Sequence, residues 1–330
     1  MREPWFWRSD TMSARIIAGA MTPLAAAYDT AQRARIAMIR PKDPGVPVLC
    51  IGNATLGGVG KTPCAIALEI ALRAEGLSAQ FLTRGYGGRL RGPIRVLREN
   101  HDALDVGDEA LLLAASAPTW VSANRPAGAA AARQDGAQII IMDDGFQNPT
   151  IQKTVSLLLA PPPDNANENL FPAGPNREPL ARARERADFL ICVGTNEEGA
   201  REGASALDAD YAAWPEPANT PEPQSVVAFC GIGRPARFFE TLDRCGFSLV
   251  AKIGYPDHHF YTAETMKTLR RLSADHKAPL ITTEKDYARL HPSLREDILT
   301  LPIAMHFDKK EHLVQSILAI IAKPEGPSRD

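Results

Sequence analysis

Lys61 and Thr62, set behind Gly57-Gly58-Val59-Gly60, are the residues of this 330-residue chain whose types and spacing best suit chemistry. An apolar run at 46–51 precedes them, and a stretch of good helix formers at 65–72 follows, with Gly76 as a stop. A glycine-rich turn between a strand and a helix presents successive backbone N–H groups at a helix N-terminus, which suits a polyphosphate. Lys61 would reach the β- and γ-phosphates, and the Thr62 hydroxyl would ligate Mg²⁺. Thr55 stands where the usual pattern has its first glycine, and Gly57 and Gly58 are additional, so the loop is a variant. An incidental lysine in a glycine-rich turn is the competing reading. The order of strand, glycines, Gly-Lys-Thr and helix argues against it, and a nucleoside triphosphate is the expected ligand.

Ile139-Ile140-Ile141-Met142 ends in Asp143-Asp144, the form of a buried parallel strand that delivers carboxylates at its C-terminal end. Ligands of open α/β sheets bind beyond such ends, where an aspartate can hold Mg²⁺ directly or through water. The elements that must position these groups follow from periodicity. Strands are expected at 80–83, 119–122, 139–142, 155–159 and 189–193, with helices at 108–117 and 127–134 between them. That alternation predicts an α/β protein with a doubly wound, mostly parallel sheet of the P-loop NTPase type. The proline-rich piece 214–224 reads as a linker. After it the alternation restarts, with strands at 226–229, 248–253 and 280–283 and helices at 235–244, 263–274 and 309–322. The expected organisation is an N-terminal segment 1–40, a nucleotide-binding domain 41–213 and a second, smaller α/β domain 225–330.

Composition narrows the partners. A net charge of −2 argues against nucleic acid held by bulk electrostatics, and 45% hydrophobic content is that of a globular protein. The five cysteines are scattered without metal spacing and read as buried free thiols in a reducing compartment. Trp5, Phe6 and Trp7 precede Arg8, and a mostly apolar stretch at 14–28 carries Arg15 and Pro23. It falls short of the ~20 apolar residues of a membrane-spanning helix, and it lacks the order of a signal peptide. Arg33, Arg35, Arg40 and Lys42 follow it. Two readings fit the segment: a helix lying on an anionic membrane surface, or a helix packed on the protein's own core.

Among nucleotide enzymes, a regulatory GTPase should carry an Asn-Lys-x-Asp-like motif, but the matching place reads Val193-Gly194-Thr195-Asn196-Glu197. A partitioning ATPase should have lysine at Leu56. A small-molecule kinase needs phosphate grip, metal, an acceptor site and a base. The chain resembles the tetraacyldisaccharide 4′-kinases through a series of stretches in order from about 47 to 290. These are Gly52-Asn53 through Gly60-Lys61-Thr62-Pro63, Thr83-Arg84-Gly85-Tyr86-Gly87-Gly88, Val106-Gly107-Asp108-Glu109 and Asn124-Arg125. Asp143-Asp144-Gly145-Phe146-Gln147-Asn148, Pro172-Ala173-Gly174-Pro175-Asn176-Arg177-Glu178-Pro179, Asp257-His258-His259 and Thr282-Thr283-Glu284-Lys285-Asp286 complete them. Asn148 departs from the family pattern, which has His there.

The resemblance implies transfer of the ATP γ-phosphate to the 4′-hydroxyl of tetraacyldisaccharide 1-phosphate, giving lipid IV-A. It also implies a peripheral place on the cytoplasmic face of the bacterial inner membrane, against its anionic surface. No obligate protein partner is evident. The runner-up is a P-loop ATPase that couples hydrolysis to protein binding. By similarity Asp108 is the expected base, oriented by His258 in preference to His259. A helix N-cap is the alternative for Asp108. Lys61 is expected in catalysis, and Thr55, Gly57, Gly58, Val59, Gly60, Lys61 and Thr62 in ATP binding. Mg²⁺ is assigned to Thr62, Asp143, Asp144 and Glu178. Arg125, Arg177 and Gln147 are assigned to substrate or phosphate, and Glu284-Lys285-Asp286, ending a strand beside the cleft, to nucleotide contact in preference to a structural turn.

Overall fold

A computed structural model describes residues 4–7, 9, 11–163 and 168–323. Arg8 and the charged tail beyond 323 lie outside the described residues. The strands, in chain order, are β1 (Val48–Asn53), β2 (Ala79–Thr83), β3 (Ile94–Arg95), β4 (Thr119–Val121), β5 (Ile139–Asp143), β6 (Val155–Ala160), β7 (Phe189–Val193) and β8 (Tyr211–Pro217), followed by β9 (Ser225–Cys230), β10 (Ser248–Gly254), β11 (Leu280–Thr283), β12 (Ile298–Leu301) and β13 (Ile303–Phe307). The helices are α1 (Met12–Met38), α2 (Lys61–Ala74), α3 (Ala103–Val106), α4 (Asp108–Leu113), α5 (Arg125–Gln134), α6 (Leu180–Arg184), α7 (Glu197–Leu207), α8 (Pro235–Arg244), α9 (Ala263–His276), α10 (Glu284–Arg289) and α11 (Lys310–Ile321).

Nine strands form one sheet in the order β13-β8-β7-β6-β1-β5-β2-β4-β3. Only the outermost pairs, β13 with β8 and β3 with β4, are antiparallel. β1, β5 and β6 are buried at every position, which is why each reads as a continuous apolar run rather than an alternation. One core under the sheet is built on Leu49, Ile51, Leu68 and Ile141, and the other on Val48, Ile140, Met142 and Leu158. The second sheet, β10-β9-β11-β12, is parallel throughout.

Two expectations are corrected. Residues 214–217 belong to β8 and not to a linker. Only Tyr211, Ala212 and Ala213 pair with β7, so the half of β8 that carries Pro215 and Pro217 has β13 on a single side. Proline is tolerated where one side of the strand makes no ladder. The C-terminal boundary also differs. β13 returns to the large sheet, and Met305, Phe307, Leu313 and Ile317 lie in the same core as Leu49 and Leu68. The second unit therefore spans β9 to β12. The chain enters it through residues 218–224 and leaves it through Pro302 alone, between β12 and β13.

At the N-terminus the Thr11 side chain caps α1 by accepting from the Ala14 N–H. Ala14, Ala18 and Ala25 are buried, while Phe6, Trp7 and Ala14 pack with Leu56 and Phe171. Trp7 Nε1 donates to the Pro172 carbonyl, and Asp29 pairs with Arg182. The opposite side of α1 leaves Met12, Ile16, Leu24 and Met38 exposed. No helix among the described residues is long and apolar enough to cross a membrane. The described cysteines are free, with Cys50, Cys64, Cys192 and Cys230 buried.

Because α11 seals the core beneath the large sheet, Ile317→Ala should destabilise that unit by about 2–5 kcal/mol, the usual cost of a buried Ile-to-Ala truncation. Urea unfolding followed through Trp214 fluorescence, on β8, measures it. A loss below about 1 kcal/mol would contradict the placement of α11 in that core.

Candidate active site

The loop between β1 and α2 takes its shape from two glycines in left-handed conformations, Gly57 (φ 116°) and Gly60 (φ 87°). Gly60 is the N-cap of α2, and a Cβ there would lie 2.8 Å from Met305 Cε on β13. The torsion favours glycine, while the flexible end of Met305 could give way to a side chain. The segment around 175–177 braces the loop: Leu56 N–H donates to the Pro175 carbonyl, Arg177 N–H donates to the Ala54 carbonyl, and Thr55 bridges to Asn176.

Lys61 and Thr62 open α2 and point back to the strand ends. Lys61 Nζ donates to Asn53 Oδ1 at 3.1 Å and lies 3.5 Å from Asp144 Oδ1. Thr62 Oγ1 donates to Asp143 Oδ2 at 3.2 Å, while the buried Asp143 Oδ1 has no partner. The two aspartates differ in environment. Burial, then the charge of Glu109, push Asp143 up to about 7. For Asp144, burial raises the carboxyl, but Lys61 and Arg177 together outweigh it and hold it below the usual range. Asp144 adopts φ 50°, which turns its side chain off the strand line to meet Arg177 through two N–H···O bonds of 3.0 and 3.3 Å.

Gln147 links this group to the next. Its Nε2 donates to the Asn53 carbonyl and to Glu178 Oε1, and its Oε1 accepts from Arg177. Glu178, assigned to the metal with Thr62 and Asp143, has both carboxylate oxygens engaged, one by Gln147 and the other by Arg186. Its carboxylate is paired with Arg186, lies 3.7 Å from Arg182, and lines a cavity of about 180 Å³ against α1. The guanidinium partners satisfy it there. Among the described residues no three His, Cys, Asp or Glu side chains cluster as a metal site. A divalent cation nevertheless fits at Thr62 and Asp143, where one buried carboxylate oxygen is unpartnered; Mg²⁺ at phosphates characteristically takes few protein ligands. Arg125 opens α5 and is buried, with Nη1 donating to the Ser122 carbonyl and Nε unpartnered. Burial, then the charge of Arg84, lower it to about 10, while Asp144 and Asp143 act the other way.

Asp108 is the first residue of α4, after Gly107 (φ 87°), where a Cβ would lie 2.4 Å from the Tyr86 carbonyl oxygen. Gly107 is the N-cap, so Asp108 does not serve as one. Its Oδ1 accepts from the Glu109 N–H, and its Oδ2 accepts from Arg289 Nε at 2.7 Å and Nη2 at 2.5 Å. His258 Nδ1 lies 3.4 Å from the same oxygen, with Tyr86 beside the imidazole. The Asp108 carboxylate raises His258 above its ordinary value. His259 instead stacks on Tyr255. Because Glu109 and Lys285 both act on Asp143, the start of α4 and the end of β5 share one electrostatic site.

The match to known proteins is extensive. The family model described as tetraacyldisaccharide-1-P 4′-kinase matches residues 17–322. The chain belongs to that family. It is therefore a kinase, an enzyme that phosphorylates an alcohol group. A tetraacyldisaccharide 4′-kinase from Paramagnetospirillum magneticum is 44% identical over 93% of this chain and 95% of its own length. One from Parvibaculum lavamentivorans is 47% identical over 88% and 87%. The crystal structure of LpxK from Aquifex aeolicus in complex with ATP shares the fold, with TM-score 0.73 and 23% identity over 92% of this chain and 99% of that one. The P-loop type of α/β fold expected from the sequence is thus the family's fold. Asn148, which departs from the family pattern, closes its own turn by accepting from the Thr150 N–H and hydroxyl.

Sequence reasoning did not single out Asn53 or Arg289, nor the Lys285–Glu109 pair at 2.8 Å. Asn53 was signalled by its place at the carboxyl end of β1. Lys285 and Arg289 stand four apart on a short helix, a spacing that reads as a solvated face.

With its native value raised above the unfolded value of about 3.9, Asp143 binds its proton more tightly in the folded state. Its contribution to stability is full below pH ~4 and is lost as pH rises to about 7. Asp143→Asn should remove that slope, so the variant without nucleotide or metal melts as high as or higher than wild type at pH 8. Identical pH dependence of Tm in both proteins would refute the account.

Proposed function

We propose that the chain transfers the γ-phosphate of ATP to the 4′-hydroxyl of tetraacyldisaccharide 1-phosphate, forming lipid IV-A in lipid A biosynthesis. The observation that carries this reading is the joining of three groups at the carboxyl end of one sheet in a chain of that family. These groups are Lys61 with Asn53 and Asp144, Thr62 with Asp143, and Asp108 with His258.

A sugar hydroxyl is a weak nucleophile, so positioning and charge neutralisation carry most of the rate. Gly57, Gly58, Val59 and Gly60 offer backbone N–H groups to the phosphates, and Lys61, now held by Asn53 and Asp144, moves its charge onto them. Mg²⁺ held by Thr62 and Asp143, with Asp144 beside them, would neutralise polyphosphate charge. Asp108 accepts the proton of the attacking hydroxyl, and His258 at 3.4 Å holds the carboxylate in place and shares the added charge. Arg177 and Arg125 match phosphate oxygens through their planar guanidinium groups. The cavity beside α1 is lined by Arg33, Arg177, Arg182 and Arg186 against a single carboxylate, Glu178, an excess of cations that suits the substrate's anionic sugar headgroup. The ATP complex of the Aquifex protein supports ATP as the donor.

The acceptor's four acyl chains keep it in the bilayer, so the enzyme works from the cytoplasmic face of the inner membrane. Two faces of α1 support this place: Ala14, Ala18 and Ala25 turn inward, while Met12, Ile16 and Leu24 stay exposed, and the exposed Arg33, Arg35, Arg40 and Lys42 follow at and just beyond its C-terminal end. Ile16→Glu with Leu24→Glu should release the protein from anionic vesicles in a flotation assay while nucleotide binding persists. Flotation equal to wild type would refute the membrane contact.

Transfer itself is tested with γ-labelled ATP, Mg²⁺ and tetraacyldisaccharide 1-phosphate in detergent micelles, separating labelled lipid from free phosphate. Wild type should label the lipid, Lys61→Ala and Thr62→Ala should abolish transfer, and Asp108→Asn should lower kcat by about 100-fold or more with little change in ATP affinity. Label in free phosphate alone, unaffected by lipid, would instead favour an ATPase serving a protein partner.

A further inference from the structure

Arg289 touches the proposed base more closely than any other side chain, yet no role has been assigned to it. It closes α10 in the second unit and reaches Asp108 at the start of α4, with the two side chains 5% and 6% exposed. Its N–H groups are almost all committed. Nε and Nη2 donate to Asp108 Oδ2, and Nη1 donates to the Gly231 carbonyl at 2.6 Å and to Asp286 Oδ1 at 2.9 Å. Asp286 is itself fixed by the Gly231 N–H, the Tyr261 hydroxyl and the Thr283 hydroxyl. The guanidinium is therefore a rigid fork built by β9, β11 and α10, aimed across the boundary between the units.

We propose that Arg289 is the positioning residue for Asp108, fixing its carboxylate from across the boundary between the two units and beside His258. This rests on Asp108 being the base. A carboxylate buried to this degree is driven toward its neutral form, which cannot accept a proton, and an adjacent guanidinium keeps it ionised. The same contact fixes orientation. With Oδ1 on the Glu109 N–H and Oδ2 on Arg289, the carboxylate has one arrangement rather than several.

Arg289 also sets what His258 does. His258 Nδ1 lies 3.3 Å from Arg289 Nη2 and 3.4 Å from Asp108 Oδ2. Unprotonated, Nδ1 accepts from the guanidinium; protonated, it donates to the carboxylate. The imidazole is thus placed where its proton content reports on both partners. Tyr86 and Asp257 are the other groups facing it.

The experiment pairs transfer kinetics with NMR titration of the His258 imidazole, assigned by its loss in His258→Gln. In Arg289→Gln, kcat should fall by about 100-fold while KM for ATP stays within about twofold. The His258 midpoint should rise, since a neighbouring positive charge is removed, and it should fall in Asp108→Asn. Arg289→Lys keeps the charge without the fork and should give an intermediate kcat. Wild-type kcat and an unmoved His258 midpoint in Arg289→Gln would overturn the proposal. So would failure of both Arg289 variants to melt cooperatively or bind ATP, which would make the residue structural only. A wild-type enzyme that does not phosphorylate the lipid would count against the function, whereas the titration still reads Arg289.

Discussion

The parallel pairing of β1 with β5, with Ile51 opposite Asp143, is the constraint on which the site depends. Parallel strands end at the same edge of a sheet, so the glycine loop that follows β1 and the acidic pair that closes β5 must emerge side by side. The next consequences are local. Thr62, in the first turn of α2, meets Asp143; Lys61 meets Asp144; and Gln147 reaches back to the Asn53 carbonyl. β6 on the other side of β1 completes the crevice expected where a doubly wound sheet changes direction.

Three aspartates at this edge are given different properties by their neighbours alone. Asp144 is matched by Arg177 and Lys61 and stays ionised. Asp143 has one oxygen on a neutral hydroxyl and the other unpartnered, so its charge is left for a cation to satisfy. Asp108 is buried as deeply as a core residue but sits against a guanidinium. Burial raises all three carboxyls, and the placement of cations decides which remain charged.

The second unit is stitched to the first at both ends of the chain, through residues 218–224 and through Pro302, with β13 and α11 returning beneath the nucleotide loop. Its contribution to the site is the face carrying His258, Lys285 and Arg289, which meets α4 through two ion pairs. The same boundary buries Ala288 of α10 against Val106, Ala110 and Leu111, so polar and apolar contacts together join the units.

The amino-acid sequence by itself determined the nucleotide loop, the acidic strand end and the α/β alternation from 46 to 193, because these are local: their signals lie in glycine spacing, apolar runs and helix formers within a few residues. It also carried the family's motifs, and so Asp108 and His258, although 150 residues separate them. It did not show that 214–217 is strand, since the prolines there are tolerated only because β7 stops short, a fact of pairing. Nor did it show that Glu178 is taken by Arg186, that β13 rejoins the large sheet, or that Arg289 lies on Asp108. Those were decided by tertiary structure, because whether a charged side chain is solvated, paired or left for a ligand depends on which distant cation the fold brings within 3 or 4 Å of it.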